Sequence, residues 1–213
     1  MGRLITIPNI LTLIRFIVSP IMLPVLLVYL SPMNNLWINA GMASFFLLFS
    51  ITDFFDGFLA RRYNQVSVFG KVLDPIADKC LVYSVLIALL SINKIYFVWV
   101  IFLIVRDFFM MGIRQTALEH GFSVPVSFLG KFKTFVQMAF LAFLILNPYH
   151  SMVNGGIAEW VADFWRYPRW MAVEAALLGA TLILALFSGY LYYREFIQKY
   201  KKHDGDRHNQ LEI

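Results

Sequence analysis

Residues 53–79 read Asp53-Phe-Phe-Asp56-Gly57-Phe-Leu-Ala60-Arg61-Arg-Tyr-Asn-Gln-Val-Ser-Val-Phe-Gly70-Lys71-Val-Leu-Asp74-Pro75-Ile-Ala-Asp78-Lys79, set between two largely apolar runs. Ionisable residues inside a membrane segment are expensive, so they mark a functional site by default. Four carboxylates in one neighbourhood repel one another, and bound cations make such a cluster sensible. On a helix, Asp53, Asp56, Gly57, Ala60 and Arg61 are spaced by three and four and share a face. Asp74 and Asp78, four apart, share another. Pro75 suits the first turn of a helix with Asp74 as its cap. The short connection predicts antiparallel neighbours whose polar faces meet.

Composition agrees with a membrane setting. Of 213 residues, 60% are hydrophobic and 15% charged, against about 45–50% and about 25% in soluble domains. That supplies several spans of roughly 20 residues each and no large soluble domain besides. The predicted fold is an all-α integral membrane protein with six transmembrane helices and a polar metal-binding pocket open to the cytoplasm. The spans run from about Ile10 to Leu30, Trp37 to Arg62, Asp74 to Ile92, Ile95 to Leu118, Phe132 to Leu146 and Trp170 to Phe196. Pro20 and Pro24 are expected kinks in the first, which is too long and lacks the cleavage site of a signal peptide. Residues 1–198 form one membrane domain, and 199–213 a polar tail expected to fray in solution.

The single cysteine, Cys80, excludes an intramolecular disulfide and reads as a buried inert thiol. No two of the four histidines stand at metal-ligand spacing on a helix. The net charge of +5 clusters at span ends, which points to topology and anionic lipid, not nucleic acid. Arg3, Arg61, Arg62, Lys71, Lys131, Lys133, Arg194, Lys199, Lys201, Lys202 and Arg207 fall on one side; Lys94, Arg166 and Arg169 fall on the other. The positive-inside rule then places both termini and the aspartates at the cytoplasmic face. Trp160, Trp165, Tyr167 and Trp170 read as an outer interfacial aromatic belt.

Clustered carboxylates suit hard divalent cations such as Mg²⁺, which often bridge to substrate phosphates. Two metals clamp the attacking and leaving oxygens of a phosphoryl transfer. Gly57 and Ala60 leave room for a phosphate-bearing ligand, and Arg61 can pair with its charge. A purely structural reading, with buried ion pairs locking two helices, leaves too many negative charges unpaired.

The full spacing, D-x-x-D-G-x-x-A-R, eight residues, then G-x-x-x-D-x-x-x-D, resembles the signature of the CDP-alcohol phosphotransferases at every defined position. The motif covers Asp53 to Asp78, and the six-span layout extends the likeness over nearly the whole chain. The resemblance implies displacement of CMP from a CDP-linked donor by an alcohol. It implies two divalent metals, Mg²⁺ or Mn²⁺, on Asp53, Asp56, Asp74 and Asp78, with Asp78 as general base. It implies CDP binding by Gly57, Ala60, Arg61 and Gly70, and a homodimer. The chemistry agrees: positioning and charge neutralisation do most of the work when CMP leaves, and the hydroxyl needs a proton acceptor.

Arg106, Arg114, Lys131 and Lys133 suggest an acceptor that itself carries a phosphate. The competing reading pairs Arg106 with Asp107 or an active-site aspartate and leaves the lysines to set topology. Ile7-Pro8-Asn9-Ile-Leu-Thr12-Leu-Ile-Arg15, Gly70–Lys79, Arg106-Asp107 and Gly130-Lys131-Phe-Lys133-Thr134 resemble the bacterial branch that joins CDP-diacylglycerol to sn-glycerol 3-phosphate. That branch implies phosphatidylglycerophosphate as product and the bacterial inner membrane as location. Arg106-Asp107 departs from it, standing where Arg-Glu is more usual. Asn9 and Thr12 either cap the first helix or, with Arg15, face the nucleotide.

A family member with another acceptor (inositol phosphate, serine or a second phospholipid) satisfies the same motif. An intramembrane prenyltransferase would separate its aspartate motifs and would not need Asp-Gly and Ala-Arg. A divalent-cation transporter would be hindered by Arg61, Lys71 and Lys79.

Overall fold

The computed structural model describes the backbone of residues 20–33, 35–62, 68–124, 128–147 and 167–211, and the side chains of 20–33, 35–51, 79–124, 128–147 and 167–201. Every regular element among them is helical. Helix α1 is described over 20–30 and passes into a 3-10 turn at Ser31–Met33. Then come α2 (Leu36–Arg62), α3 (Val68–Ser91), α4 (Phe97–Glu119), α5 (Phe128–Leu146) and α6 (Pro168–Leu211). Asn9, Thr12, Arg15 and the start of the first expected span lie outside the described residues, as do Trp160 and Trp165 of the expected aromatic belt.

Local chemistry sets the helix ends. Asn35 Oδ1 accepts from the Trp37 N–H at 2.9 Å, an N-cap on α2. Past α3, Asn93 takes a left-handed backbone with φ 58°. The Lys94 N–H bonds the Leu89 carbonyl at 2.8 Å and the Asn93 N–H bonds that of Leu90 at 3.0 Å, closing the helix with a Schellman motif. The same device ends α4: Gly121 has φ 79°, and Phe122 and Gly121 donate to Ala117 and Leu118 at 3.1 and 3.0 Å. Pro168 opens α6, where the missing N–H is harmless.

Three boundaries differ from expectation. Helix α3 starts at Val68, so Asp74 and Pro75 lie inside it and not at its cap. Pro75 therefore leaves the Lys71 carbonyl without its usual helical donor. Helix α5 starts at Phe128, so Lys131 and Lys133 are helical from the outset. Helix α6 continues to Leu211 where fraying was expected. A tertiary tether holds it as far as Tyr200: Lys199 Nζ donates to the Ser123 carbonyl at 3.0 Å and lies 3.1 Å from Glu195 Oε1. Phe196 packs on Phe122 and Tyr200 on His120, with ring centroids 5.7 and 5.2 Å apart.

Among the described residues, two helices are long and apolar enough to cross a membrane, Phe128–Leu146 and Pro168–Lys201. Only 39% and 33% of their most apolar stretches are buried, whereas the core helix of a soluble protein would be mostly covered. Helix α4 has 23 residues, about 34 Å of rise, but carries Arg106 and Asp107 near its middle.

The chain divides into two compact units, 1–100 with 138–174 and 101–137 with 175–213. Leu27, Phe46, Leu86, Leu89, Phe140 and Ile145 are fully buried in the first. In the second, Ile113, Ala117, Val124 and Tyr192 form a small core, with Met110, Phe122 and Phe196 packed against it.

Candidate active site

The aspartate motif occupies two consecutive helices that touch one another, joined by residues 63–67. Asp53, Asp56, Gly57, Ala60 and Arg61 stand on α2; Gly70, Asp74 and Asp78 stand on α3. Their side chains lie outside the described residues. Their backbone positions along the two helices follow from the helix bounds. Asp56 is six residues from the end of α2 and Asp74 six from the start of α3, about 9 Å of rise in each case. Asp53 and Asp78 stand one turn further along, each about 14–15 Å from the connection. Asp56 and Asp74 are thus equally far from the connection along their helices, and Asp53 and Asp78 nearly so. Carboxylate oxygens on adjacent helices are a hard donor set, which suits Mg²⁺ or Mn²⁺.

The basic residues divide. Lys133 on α5 is 2% exposed, and its Nζ lies 3.0 Å from Asp107 Oδ1 on α4. Arg106 Nη1 lies 2.9 Å from the same oxygen. An Arg–Asp pair in mid-helix would be costly alone; here one carboxylate joins two cations in a largely buried cluster. Arg106 also reaches α6, donating through Nε to the Ala185 carbonyl at 3.1 Å and through Nη2 to Ser188 Oγ at 2.7 Å. Arg114 and Lys131 are exposed. Of the four basic residues singled out in the sequence, the structure brings together Arg106 and Lys133.

Asp107 and Ser188 were not among the expected site residues. Two signals point to them: an acid beside an arginine within an apolar run, and a Ser-Gly pair among large apolar residues of α6. Gly189 leaves a gap at the guanidinium, for a Cβ there would sit 3.8 Å from Arg106 Nε.

A second buried cation lies in the first unit. Lys94 follows α3 and is 5% exposed. Its Nζ donates to the carbonyls of Leu144, Ile145 and Asn147 at 3.3, 3.5 and 2.7 Å, capping the end of α5. Burial pushes this ammonium down from 10.5 to about 8, while the Glu174 carboxylate acts in the opposite direction.

A family model described as CDP-alcohol phosphatidyltransferase matches residues 5–191, which span both the aspartate motif and the Arg106–Asp107–Lys133 cluster. The chain is 43% identical over 162 residues to a Rickettsia typhi protein named CDP-diacylglycerol--glycerol-3-phosphate 3-phosphatidyltransferase, covering 74% of this chain and 88% of that one. A protein of the same name from Escherichia coli K12 is 40% identical over 159 residues, covering 71% and 83%.

Proposed function

This chain belongs to the CDP-alcohol phosphatidyltransferase family, and from that premise we propose that it transfers the phosphatidyl group of CDP-diacylglycerol to sn-glycerol 3-phosphate, releasing CMP and forming phosphatidylglycerophosphate. The carrying observation is the 43% identity over 162 residues to an enzyme named for that donor and acceptor. The aspartate motif, intact at every defined position, supports it.

Asp53, Asp56, Asp74 and Asp78 would hold the divalent cations, Mg²⁺ or Mn²⁺, which prefer oxygen donors. When bound, such ions neutralise charge on the diphosphate. Asp78 accepts the proton from the free primary hydroxyl of glycerol 3-phosphate as its oxygen bonds to the lipid-side phosphorus. The bond from that phosphorus to the CMP oxygen breaks, and CMP leaves. Gly57, Ala60, Arg61 and Gly70 take the CDP portion, with Asn9 and Thr12 contributing from the start of the chain. Arg106, Arg114, Lys131 and Lys133 take the acceptor's phosphate, whose doubly charged oxygens suit guanidinium forks and ammonium groups.

The six helices α1–α6 correspond to six membrane spans. Both termini and the aspartate motif face the cytoplasm, where glycerol 3-phosphate is dissolved, in a bacterial inner membrane. The working enzyme is a homodimer. A diacyl donor keeps its chains in the bilayer while its head meets a soluble acceptor, which accounts for a membrane-embedded catalyst.

The test is CMP release by purified protein in detergent with CDP-diacylglycerol and Mg²⁺, across a panel of acceptors. Release should require glycerol 3-phosphate and stop on chelation of the metal. Release with serine or inositol phosphate instead would keep the family and overturn the acceptor.

A further inference from the structure

Arg106 has five N–H donors, and three are engaged by the protein: Nε by the Ala185 carbonyl, Nη1 by Asp107 and Nη2 by Ser188. Ser188 Oγ itself donates to the Ala185 carbonyl at 3.3 Å, so one turn of α6 presents both acceptors as a unit. Two N–H groups, one on each terminal nitrogen, make no hydrogen bond among the described residues. The side chain is only 16% exposed, so they are largely sheltered from water. Lys133 reaches the same Asp107 oxygen from α5.

Long cationic side chains lose rotamer freedom when they grip an anion, and a receptor that holds them in place beforehand loses less on binding. Three hydrogen bonds fix the guanidinium plane. Asp107 also screens two like charges that would otherwise drive each other apart.

We propose that Asp107 and Ser188 are positioning residues for acceptor recognition: they hold the Arg106 guanidinium and the Lys133 ammonium as a pre-formed seat for the acceptor's phosphate, without binding the substrate themselves. The inference rests on the reading of Arg106 and Lys133 as acceptor-phosphate ligands given above.

The experiment measures kcat, KM for sn-glycerol 3-phosphate and KM for CDP-diacylglycerol separately, on the full chain in detergent. The set is wild type, Ser188→Ala, Asp107→Asn, Asp107→Glu and Arg106→Lys. Ser188→Ala should raise the acceptor KM roughly 3–10-fold, the range of one lost hydrogen bond, with the donor KM within about twofold. Asp107→Asn should raise the acceptor KM at least about tenfold, and Asp107→Glu should recover part of that. If Asp107→Asn does not fold, Ser188→Ala decides alone. An unchanged acceptor KM in Ser188→Ala, with Arg106→Lys raising it, would overturn the positioning role and leave the site intact. An unchanged acceptor KM in Arg106→Lys would overturn the underlying reading and the inference with it. Equal change in both KM values would also sink the proposal, because a merely structural lock has no reason to favour the acceptor.

Discussion

The Lys94 ammonium lies 2.7 Å from the carbonyl oxygen of Asn147, the residue after the last turn of α5. The Schellman turn at Asn93 sets this up by redirecting the chain as α3 ends, and the side chain of the next residue then caps another helix. A cation at a helix C-terminus also meets the negative end of the helix dipole.

This arrangement predicts a pH-dependent stability. The ordinary value for Lys94 is 10.5 and burial lowers it to about 8. Below about pH 8 the folded and unfolded chains both carry the proton, and the cost of burying the charge stands in full. Between about 8 and 10.5 the unfolded chain keeps a proton that the folded chain has released, so stability rises with pH. The effect is on the order of 3 kcal/mol at most. The melting temperature of wild type in detergent should therefore gain on that of Lys94→Met across this window. A constant difference would mean that water reaches the ammonium.

Two glycines, one just past the end of α4 and one inside it, offer a backbone test. Gly121 has φ 79°, and among the described residues no heavy atom beyond its chain neighbours lies within 4 Å of where its Cβ would stand. Gly121→Ala should cost about 1 kcal/mol, from strain at positive φ alone. Gly112 has the same open space but sits inside α4. Gly112→Ala should gain about 0.5–1 kcal/mol from helix propensity. Thermal unfolding of the two variants should move in opposite directions.

Asp78→Asn separates catalysis from binding. If Asp78 takes the hydroxyl proton, turnover should fall roughly 10²–10⁴-fold, while affinity for CDP-diacylglycerol stays within a few-fold. Binding by a fluorescent or radiolabelled donor would measure the second quantity. A parallel loss of donor binding would make Asp78 chiefly a metal ligand.

The basic residues should not act alike. Lys133 is buried on Asp107, whereas Arg114 and Lys131 are exposed. Lys133→Ala should raise the KM for glycerol 3-phosphate at least about tenfold. Arg114→Ala and Lys131→Ala should change it less, because salt and water screen an exposed charge. Initial-rate kinetics at two ionic strengths would show this, with the exposed pair losing its effect at high salt. An effect on the donor KM instead would move these residues to the CDP side.

The Asp53–Asp78 motif was legible because its chemistry is encoded in spacing. Three- and four-residue steps put residues on one helix face whatever packs around them, and the apolar flanks make the acids conspicuous. Helix α2 begins and ends within a residue of the predicted span for the same reason, since an apolar run with an Asn cap is a local signal. Tertiary structure decided what local signals cannot carry. Proline at position 75 favoured a helix start, yet α3 begins at Val68. The polar stretch after Lys199 lacks an apolar stripe, yet the helix continues to Leu211, with Lys199 tethered to the Ser123 carbonyl where that stretch begins. Arg106 and Arg114, two turns apart, looked equivalent, and only packing distinguishes them: Arg106 meets Asp107, Ser188 and Ala185, residues up to 82 positions away, while Arg114 is exposed. Ion pairs and hydrogen bonds between distant segments depend on which helices come together, and the periodicity of a single helix carries no record of its neighbours.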